Sequence, residues 1–403
     1  MESDRRQFMK AALAASASST GAILSTNQQV RAESPPVAQK EGATISADEG
    51  ARTMIKPYLA MVVQSKVIAA KGMAEVHQNL EHVLKLIDQY MKGVWQLSGG
   101  GAPKLVVFPE SFLHGFGPMA TRTYQTNSQF ALRIPGPETK ALGEKCKQYG
   151  FYLAGAAFEK VDEFPHHFFN TGIIINPQGE IILKYRKINA SNNNLEISSS
   201  PVDVLTKYGP QELFPVVRTP IGNLGMFICY DGWFPEVARC LMINGAEVMI
   251  RPMGAAGVPT LNERDWWIWH NRSRAHENLA YVLGANWADS PDSEYGSSSS
   301  GNSMIVDFRG NVVAQHTDAS EWFVMGAIDI EALRRARSQI FMNYITQLRM
   351  EVYANVFQGK TFFPPNAFAE KNKQSQDETW AIQTATVERL RREGILEKPS
   401  SPL

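Results

Sequence analysis

Cysteine is scarce in this chain, with three residues, Cys146, Cys229 and Cys240, among 403. Three irregularly spaced thiols cannot supply the disulfide framework of a small secreted domain. Stability must therefore come from an apolar core, for which a 44% share of hydrophobic residues is ample. Each thiol has to be judged by its own neighbours in the sequence.

An excess of charge of either sign is also missing, because Lys+Arg and Asp+Glu both total 40. A balanced chain has no overall field that would favour nucleic acid or an anionic membrane surface. No apolar run beyond the N-terminal segment approaches the roughly 18 residues of a membrane-spanning helix. We therefore expect a small-molecule partner, with no nucleic acid and no membrane.

Sequence signatures of common metal and protease sites are absent as well. The chain contains neither HExxH nor paired CxxC, and it lacks a papain-like Cys/His signature. A zinc hydrolase and a papain-like protease are both disfavoured. We expect an enzyme that needs no metal and no cofactor.

The N-terminal segment has the pattern of an export signal. Paired arginines in Arg5–Lys10 precede a short Ala/Ser-rich stretch, and residues 30–32 (VRA) form a small-residue cleavage site. An amphipathic N-terminal helix is the alternative. We predict a twin-arginine signal peptide over residues 1–32, a linker over 33–55, a catalytic domain over 56–353 and a C-terminal extension over 354–403. The protein is then expected in the periplasm, exported in folded form.

Apolar periodicity predicts an α/β fold. Strand patterns at 58–63, 104–108, 152–157, 224–228, 247–251 and 281–285 alternate with helical patterns at 76–94, 139–149, 235–244 and 262–280. The segments TGIIINPQGEIILKYRK and NSMIVDFRGNVVAQ each predict a hairpin, with Gly179 or Gly310 in its turn. We expect sheets that pack together with helices outside. A charged helix near 378–393 is expected to pack on a partner subunit rather than to carry chemistry.

Three short segments place a reactive side chain where an apolar strand ends. FPESFLHGF offers the carboxylate of Glu110, LKYRKINA the ammonium of Lys187, and MFICYDGWFPEVAR the thiol of Cys229. A thiol with its own base and a fixed cation is suited to attack a carbonyl carbon through a covalent acyl intermediate. The combination indicates an enzyme that cleaves amides.

Each of these side chains also has a simpler explanation. Cys229 could be a small buried hydrophobe, Glu110 a solvated loop carboxylate and Lys187 a surface lysine. Residues 230–235 (YDGWFP) favour the chemical interpretation, because they predict a tight turn into a helix at which the sulfur projects beyond the sheet. Alternation along 181–187 places Lys187 on the opposite face from its basic neighbours.

Together the three segments resemble the nitrilase superfamily of carbon-nitrogen hydrolases. FPE, KYRK and CYD occur in that family's chain order, and the resemblance extends over roughly residues 57–355. It implies an αββα sandwich that dimerises into a four-layer αββα-αββα assembly. Cys-Tyr-Asp is similar to the amidase and carbamoylase branches, and the long C-terminal tail with Glu196 is similar to aliphatic amidases and formamidases. The Asn-rich run at 192–194 and the export signal depart from that branch.

The resemblance implies hydrolysis of a small aliphatic amide to a carboxylic acid and ammonia through a thioester. It places catalytic roles on Glu110, Lys187 and Cys229, and we expect the backbone N–H of Tyr230 to act as a second oxyanion donor. Glu196 is a candidate supporting carboxylate, although a plain loop charge explains it nearly as well. The remaining candidates, expected to line the substrate pocket, are Trp233, Met253, His114 and Phe116.

Two other functions stay open. An N-carbamoyl amide or a nitrile could be hydrolysed by the same three residues, and the products would separate these reactions. A noncatalytic binding protein could also keep the fold as a scaffold. Such a scaffold would never gain acyl mass when it is mixed with short amides.

Overall fold

The chain folds into two six-stranded sheets, seen in a computed structural model that describes residues 54–97, 101–116, 123–191, 199–201, 210–254, 264–289, 301–370 and 375–401. The predicted signal peptide and Glu196 lie outside these ranges, as does all of the predicted linker except its last two residues. The described strands are β1 (Tyr58–Gln64), β2 (Leu105–Val107), β3 (Tyr152–Lys160), β4 (Phe168–Ile175), β5 (Ile181–Arg186), β6 (Val216–Thr219), β7 (Gly222–Met226), β8 (Val248–Pro252), β9 (Tyr281–Ala285), β10 (Met304–Val306), β11 (Val312–Gln315) and β12 (Trp322–Ile328).

Helices connect the neighbouring parallel strands of each sheet. The described α-helices are α1 (Met73–Leu97), α2 (Tyr124–Asn127), α3 (Pro137–Tyr149), α4 (Pro210–Leu213), α5 (Pro235–Ile243), α6 (Arg264–Asn278), α7 (Ile330–Arg337), α8 (Met350–Phe357) and α9 (Gln376–Arg392). Two 3₁₀ turns cover Cys229–Trp233 and Tyr344–Gln347.

Both sheets are mixed and share one plan. The first has the order β12-β1-β2-β3-β4-β5, and the second has the order β11-β10-β9-β8-β7-β6. In each sheet three neighbouring strands run parallel, β1 to β3 and β7 to β9, and the strands flanking them are antiparallel. Because the parallel strands end at the same edge, their carboxyl ends can bring side chains from distant parts of the chain together.

The sheets face each other across a shared core. Alternate residues of β1 show the arrangement: Ala60 and Val62 join the core that also contains β7, β8 and β9, whereas Met61 and Val63 pack with α1 and α3 on the other side. Helices α5 and α6 cover the outer face of the second sheet through Leu241 and other apolar residues. The result is the αββα sandwich that the resemblance to the nitrilase superfamily implies.

Proline and glycine mark helix ends where the sequence places them. Pro235 occupies the first turn of α5, and Gly150 and Gly245 follow α3 and α5 in left-handed conformations (φ 70° and 97°) that favour glycine. Both predicted hairpins are present, β4–β5 and β10–β11, with Gly179 and Gly310 at positive φ in their turns.

Six of the described strands and α-helices are absent from the sequence prediction: β6, β12, α2, α4, α7 and α8. The predicted boundary between residues 353 and 354 falls inside α8. Within the described ranges, no helix is long and apolar enough to cross a membrane.

Candidate active site

Glu110 lies three residues beyond the carboxyl end of β2 and is fully buried. Its Oε1 accepts hydrogen bonds from Lys187 Nζ (2.9 Å) and Asn170 Nδ2 (2.8 Å), and its Oε2 accepts one from the Gly254 N–H (2.8 Å). The Glu110 carbonyl oxygen accepts from Trp287 Nε1 at 2.7 Å. Strands from both sheets therefore hold this carboxylate, and the solvated-loop explanation is wrong for it.

Lys187 is as buried as the carboxylate it binds, with 2% of its side chain exposed. Its backbone N–H donates to the Asn170 carbonyl oxygen at 2.9 Å, so backbone and side-chain bonds both tie it to the Glu110 environment. Lys184 and Arg186 point to the opposite face, where both pair with Glu159. The alternation predicted along β5 is confirmed, and a snorkelling surface lysine is excluded.

Cys229 begins the 3₁₀ turn that leads from β7 into α5, and 4% of it is exposed. Its φ is 49°, a left-handed conformation that is uncommon for a residue other than glycine. Ser111, directly after Glu110, has the same φ of 49°. Such backbone strain persists only where surrounding contacts over-determine it, and it concentrates at functional sites.

Asp231 ties this turn to the ends of two strands. Its Oδ1 accepts from the Asn189 N–H (2.8 Å) and Asn189 Nδ2 (3.1 Å), and its Oδ2 accepts from the Tyr185 hydroxyl (2.7 Å) and the Ile228 N–H (3.1 Å). Burial raises the pKa of Asp231, while Lys187 and these hydrogen bonds oppose the shift. The fully buried carboxylate thus couples the turn at Cys229 to the segment that carries Lys187.

Two arginines bind the carbonyl oxygens of the same turn. Arg251 donates to the Cys229 carbonyl oxygen from Nε (3.3 Å) and Nη2 (3.0 Å), and Arg274 Nε donates to the Gly232 carbonyl oxygen at 3.2 Å. A Cβ on Gly232 would lie 2.1 Å from Arg251 Cζ, so glycine is required there for close approach.

The pKa values of Tyr230 and Arg251 reflect the charges of the three predicted catalytic residues. Burial raises the pKa of Tyr230, the charge of Cys229 raises it further, and the Lys187 ammonium lowers it. Burial likewise lowers the pKa of Arg251 to about 9, while the charges of Cys229 and Glu110 act to raise it. Cys229 therefore affects the pKa of both residues, together with Lys187 at Tyr230 and together with Glu110 at Arg251.

Three of the four predicted pocket residues lie beside Glu110, the Trp287 ring that binds it, or Tyr230. The Met253 carbonyl oxygen accepts from the Glu110 N–H at 3.3 Å, and the Phe116 ring lies 5.1 Å from that of Trp287. Trp233 is 45% exposed, and its ring lies 5.8 Å from that of Tyr230.

His114 occupies a different position from the predicted pocket mouth. The ring is fully buried, its Nε2 donates to the Phe130 carbonyl oxygen at 3.2 Å, and its Nδ1 accepts from the Phe158 N–H at 3.3 Å. Burial lowers the pKa of His114 to about 3, so it is neutral. Because backbone groups use both nitrogens, His114 is a core residue, and the expectation that it lines the pocket mouth is wrong.

The other two thiols differ from Cys229. Cys146 is fully buried in α3, and burial raises its pKa to about 12. Cys240 is half-buried on α5, and burial raises its pKa as well. Among the described residues, no group of three His, Cys, Asp or Glu side chains could hold a metal ion.

Several contacting residues escape sequence reasoning. Asn170, Gly254 and Trp287 each bind Glu110, but they lie 60, 144 and 177 residues away from it in the chain. Arg251 is the residue that the sequence could have indicated most clearly, because it is a charged residue at the end of an apolar strand pattern.

A cavity of about 750 Å³ lies elsewhere, between β5 and the start of α3, and its described lining contains none of the predicted site residues.

Residues 62–361 match the carbon-nitrogen hydrolase family, and the chain belongs to that family. This confirms the resemblance to the nitrilase superfamily. A formamidase of Bacillus thuringiensis (strain Al Hakam) is 35% identical over 240 residues, and a formamidase of Bacillus cereus (strain B4264) gives the same values. These matches cover 59% of this chain and 65% of each relative.

Solved structures support the fold. Nit3 of Saccharomyces cerevisiae, a member of branch 10 of the nitrilase superfamily, matches with a TM-score of 0.58 and 25% identity over 73% of this chain and 97% of its own. A carbon-nitrogen hydrolase of Helicobacter pylori G27 matches with a TM-score of 0.59 and 19% identity over 75% and 99%. An amidase of Nesterenkonia sp. matches with a TM-score of 0.55 and 18% identity over 74% and 96%. The last two show a shared fold alone.

Proposed function

We propose that this protein hydrolyses a small linear amide to a carboxylic acid and ammonia, with Cys229 as nucleophile, Glu110 as general base and Lys187 as oxyanion donor. The observation that carries the proposal is the buried contact between Lys187 and Glu110 at 2.9 Å, together with a cysteine at positive φ on a strand-to-helix turn that Asp231 bonds to the segment carrying Lys187. A buried ion pair adds little stability over apolar residues of similar volume. The hydrogen bonds that link the Lys187 segment to the turn carrying Cys229 favour a chemical role.

The proposed reaction runs through a thioester. Glu110 accepts the proton of Cys229 as the sulfur bonds to the amide carbon, and the carbonyl electron pair moves onto oxygen. Lys187 Nζ and the Tyr230 N–H bind that oxyanion. When it collapses, the carbon–nitrogen bond breaks, and the nitrogen takes the proton from Glu110 and leaves as ammonia. Water, deprotonated by Glu110, then attacks the thioester carbon, and the sulfur leaves and regains a proton.

The packing around Glu110 supports a small acyl group. An added Cβ on Gly254 would lie 2.7 Å from Phe116, 3.1 Å from Trp287 and 3.2 Å from Glu110 Oε2. Apolar walls with few polar groups are typical of sites for small organic molecules. Formamide is the first substrate to test, because the curated relatives carry the name formamidase.

The test measures ammonia released by purified protein from formamide, short aliphatic amides, carbamoyl amino acids and nitriles. We expect release from a short amide, an acyl adduct on Cys229 by intact-mass spectrometry, and loss of both in Cys229→Ala. Cys240→Ala is the matched control, since that thiol is half-buried on α5. Full ammonia release by Cys229→Ala would contradict the mechanism. Carbon dioxide from a carbamoyl substrate, or turnover of a nitrile alone, would redirect the substrate class.

We also propose that the protein assembles as a homodimer or a higher homo-oligomer. Apolar side chains stand exposed along the C-terminal segment, among them Phe341, Val356 and Phe357, and exposed apolar patches of this kind mark interaction surfaces. Sedimentation of wild type and Phe357→Glu tests this, with Met54→Glu as a control at another exposed apolar residue. A monomeric wild type would contradict the assembly.

Export through the twin-arginine route remains a proposal that rests on Arg5 and Arg6, which lie outside the described residues. We expect the protein in the periplasmic fraction, and we expect replacement of both arginines by lysine to retain it in the cytoplasm. Equal periplasmic amounts of the two forms would contradict the route.

A further inference from the structure

Arg251 is a fully buried cation that the proposed reaction leaves unused. Its guanidinium binds the Cys229 carbonyl oxygen with two nitrogens, and Nη1 donates to Asn271 Oδ1 at 2.9 Å. The plane lies over the Trp267 ring, with Cζ 4.6 Å from the ring centroid. Contacts with Cys229, Asn271 and Trp267 therefore fix the guanidinium in one orientation.

The peptide group that Arg251 binds is the one that donates the Tyr230 N–H. A peptide bond is planar, and in its trans form the C=O and N–H point in opposite directions. Fixing the Cys229 carbonyl oxygen therefore fixes the direction of the Tyr230 N–H. A cation at the carbonyl end also polarises the group, which strengthens its N–H as a donor.

We propose that Arg251 is a positioning residue for the oxyanion site: its guanidinium aims and polarises the Cys229–Tyr230 peptide so that the Tyr230 N–H stabilises the oxygen that gains charge during amide attack. The inference deepens the proposed function and rests on it. Gly232 is required for the same arrangement, because any side chain there would displace the Arg251 guanidinium.

A role in shaping the turn alone would have a different signature. The left-handed conformation of Cys229 is also supported by Asp231, which binds the Ile228 N–H at 3.1 Å, and by Arg274, which binds the Gly232 carbonyl oxygen. If Arg251 only shaped the turn, its loss would misplace the sulfur and slow every reaction of the thiol. If it acts on the Tyr230 N–H, its loss would slow only reactions that develop an oxyanion.

Two reactions of Cys229 separate these cases. Amide hydrolysis forms an oxyanion, whereas alkylation by iodoacetamide forms a sulfur–carbon bond with loss of iodide and forms none. The variants are Arg251→Met, which removes the donors, and Arg251→Lys, which keeps the charge but not the fork. Arg337→Met is the matched control, because that partly buried arginine also binds backbone carbonyl oxygens, those of Leu279, Ala246 and Asn278.

We expect Arg251→Met to lower kcat on the best amide about 100-fold, the size of a lost oxyanion donor, while KM and the alkylation rate change less than about threefold. Arg251→Lys should recover about tenfold of that loss, and Arg337→Met should keep the wild-type kcat. If Arg251→Met does not fold, Arg251→Lys decides alone: a drop of about tenfold in kcat with unchanged alkylation supports the proposal.

An unchanged kcat, or alkylation that falls in parallel with kcat, overturns the role of Arg251 and leaves the proposed function standing. A loss of kcat in Arg337→Met equal to that in Arg251→Met overturns the role as well. A wild type that releases no ammonia from any amide overturns the proposed function first, and this inference with it.

Discussion

Replacing Asp231 by asparagine tests how firmly the Cys229 turn is held. The buried carboxylate accepts four hydrogen bonds, two on each oxygen, from Asn189, Tyr185 and the Ile228 N–H. An asparagine side chain has one acceptor oxygen. Its best orientation keeps that oxygen on Asn189 and turns its NH₂ group toward the Ile228 N–H and the Tyr185 hydroxyl. The hydroxyl can rotate to accept, but the N–H cannot.

The cost follows from that mismatch. One buried backbone donor is left without an acceptor, at about 1–3 kcal/mol, and the bonds that remain lose the charge that strengthened them. Asparagine is easier to bury than a carboxylate, which offsets part of the loss, so we expect about 2–4 kcal/mol of destabilisation. Urea unfolding with linear extrapolation measures it. Turnover should fall as well, because the turn carries Cys229.

Tyr185→Phe is the control for this substitution. It removes one of the four donors and leaves the carboxylate with three, so the expected loss is about 1 kcal/mol. The reasoning is refuted if Asp231→Asn unfolds within about 0.5 kcal/mol of the wild type. It is also refuted if the tyrosine variant costs as much as the asparagine variant.

Two further substitutions probe buried titratable side chains. Lys187→Met leaves Glu110 buried without its cation, so we expect about 3–5 kcal/mol of destabilisation and at least about a hundredfold loss of ammonia release; near-wild-type turnover would exclude the oxyanion role. The pKa of His114 falls from 6.5 to about 3 on folding, so below pH 6.5 the unfolded chain binds the proton first. Its contribution to stability is complete above pH 6.5 and is lost toward pH 3, by about 1.4 kcal/mol per pH unit. Urea unfolding of His114→Gln between pH 6 and 4 should show a slope shallower by that amount, and equal slopes would contradict the assignment.

The sequence predicts most of the fold because the residues that begin and end its helices and turns act locally. The turn glycines Gly179 and Gly310 and the helix-starting Pro235 act within a few residues, and the structure confirms the elements around them. Strand β12 is missed because Trp322–Ile328 is apolar or glycine at every position, so its alternating burial has no counterpart in an alternation of polar and apolar residues. The strand pairs with β1 at the edge of its sheet and is partly exposed. Contacts made after folding decide its state, and the local pattern does not report them.

The site residues likewise divide into those that the local sequence indicates and those that only the folded contacts reveal. Glu110, Lys187 and Cys229 follow apolar strands and carry reactive groups, so each stands out locally. Asn170 lies inside an apolar strand pattern, and nothing in its neighbourhood shows that its amide reaches a carboxylate 60 residues earlier. His114 misleads for the opposite reason: it follows Glu110 by four residues, but the tight turn bonded from Ser111 O to His114 N sends its ring into the core.

The balance of buried charge argues that this arrangement serves chemistry. Two anions, Glu110 and Asp231, and two cations, Lys187 and Arg251, are all buried where the two sheets bring their strand ends together. Each ion loses several kcal/mol of hydration, and apolar residues of similar volume would give an equal or greater stability. The four groups are connected through the short turn that Cys229 opens: Asp231 and Arg251 bind its backbone, and Lys187, which pairs with Glu110, follows the strand whose Tyr185 binds Asp231. Selection for stability alone would not concentrate this desolvation penalty around one cysteine with a strained backbone.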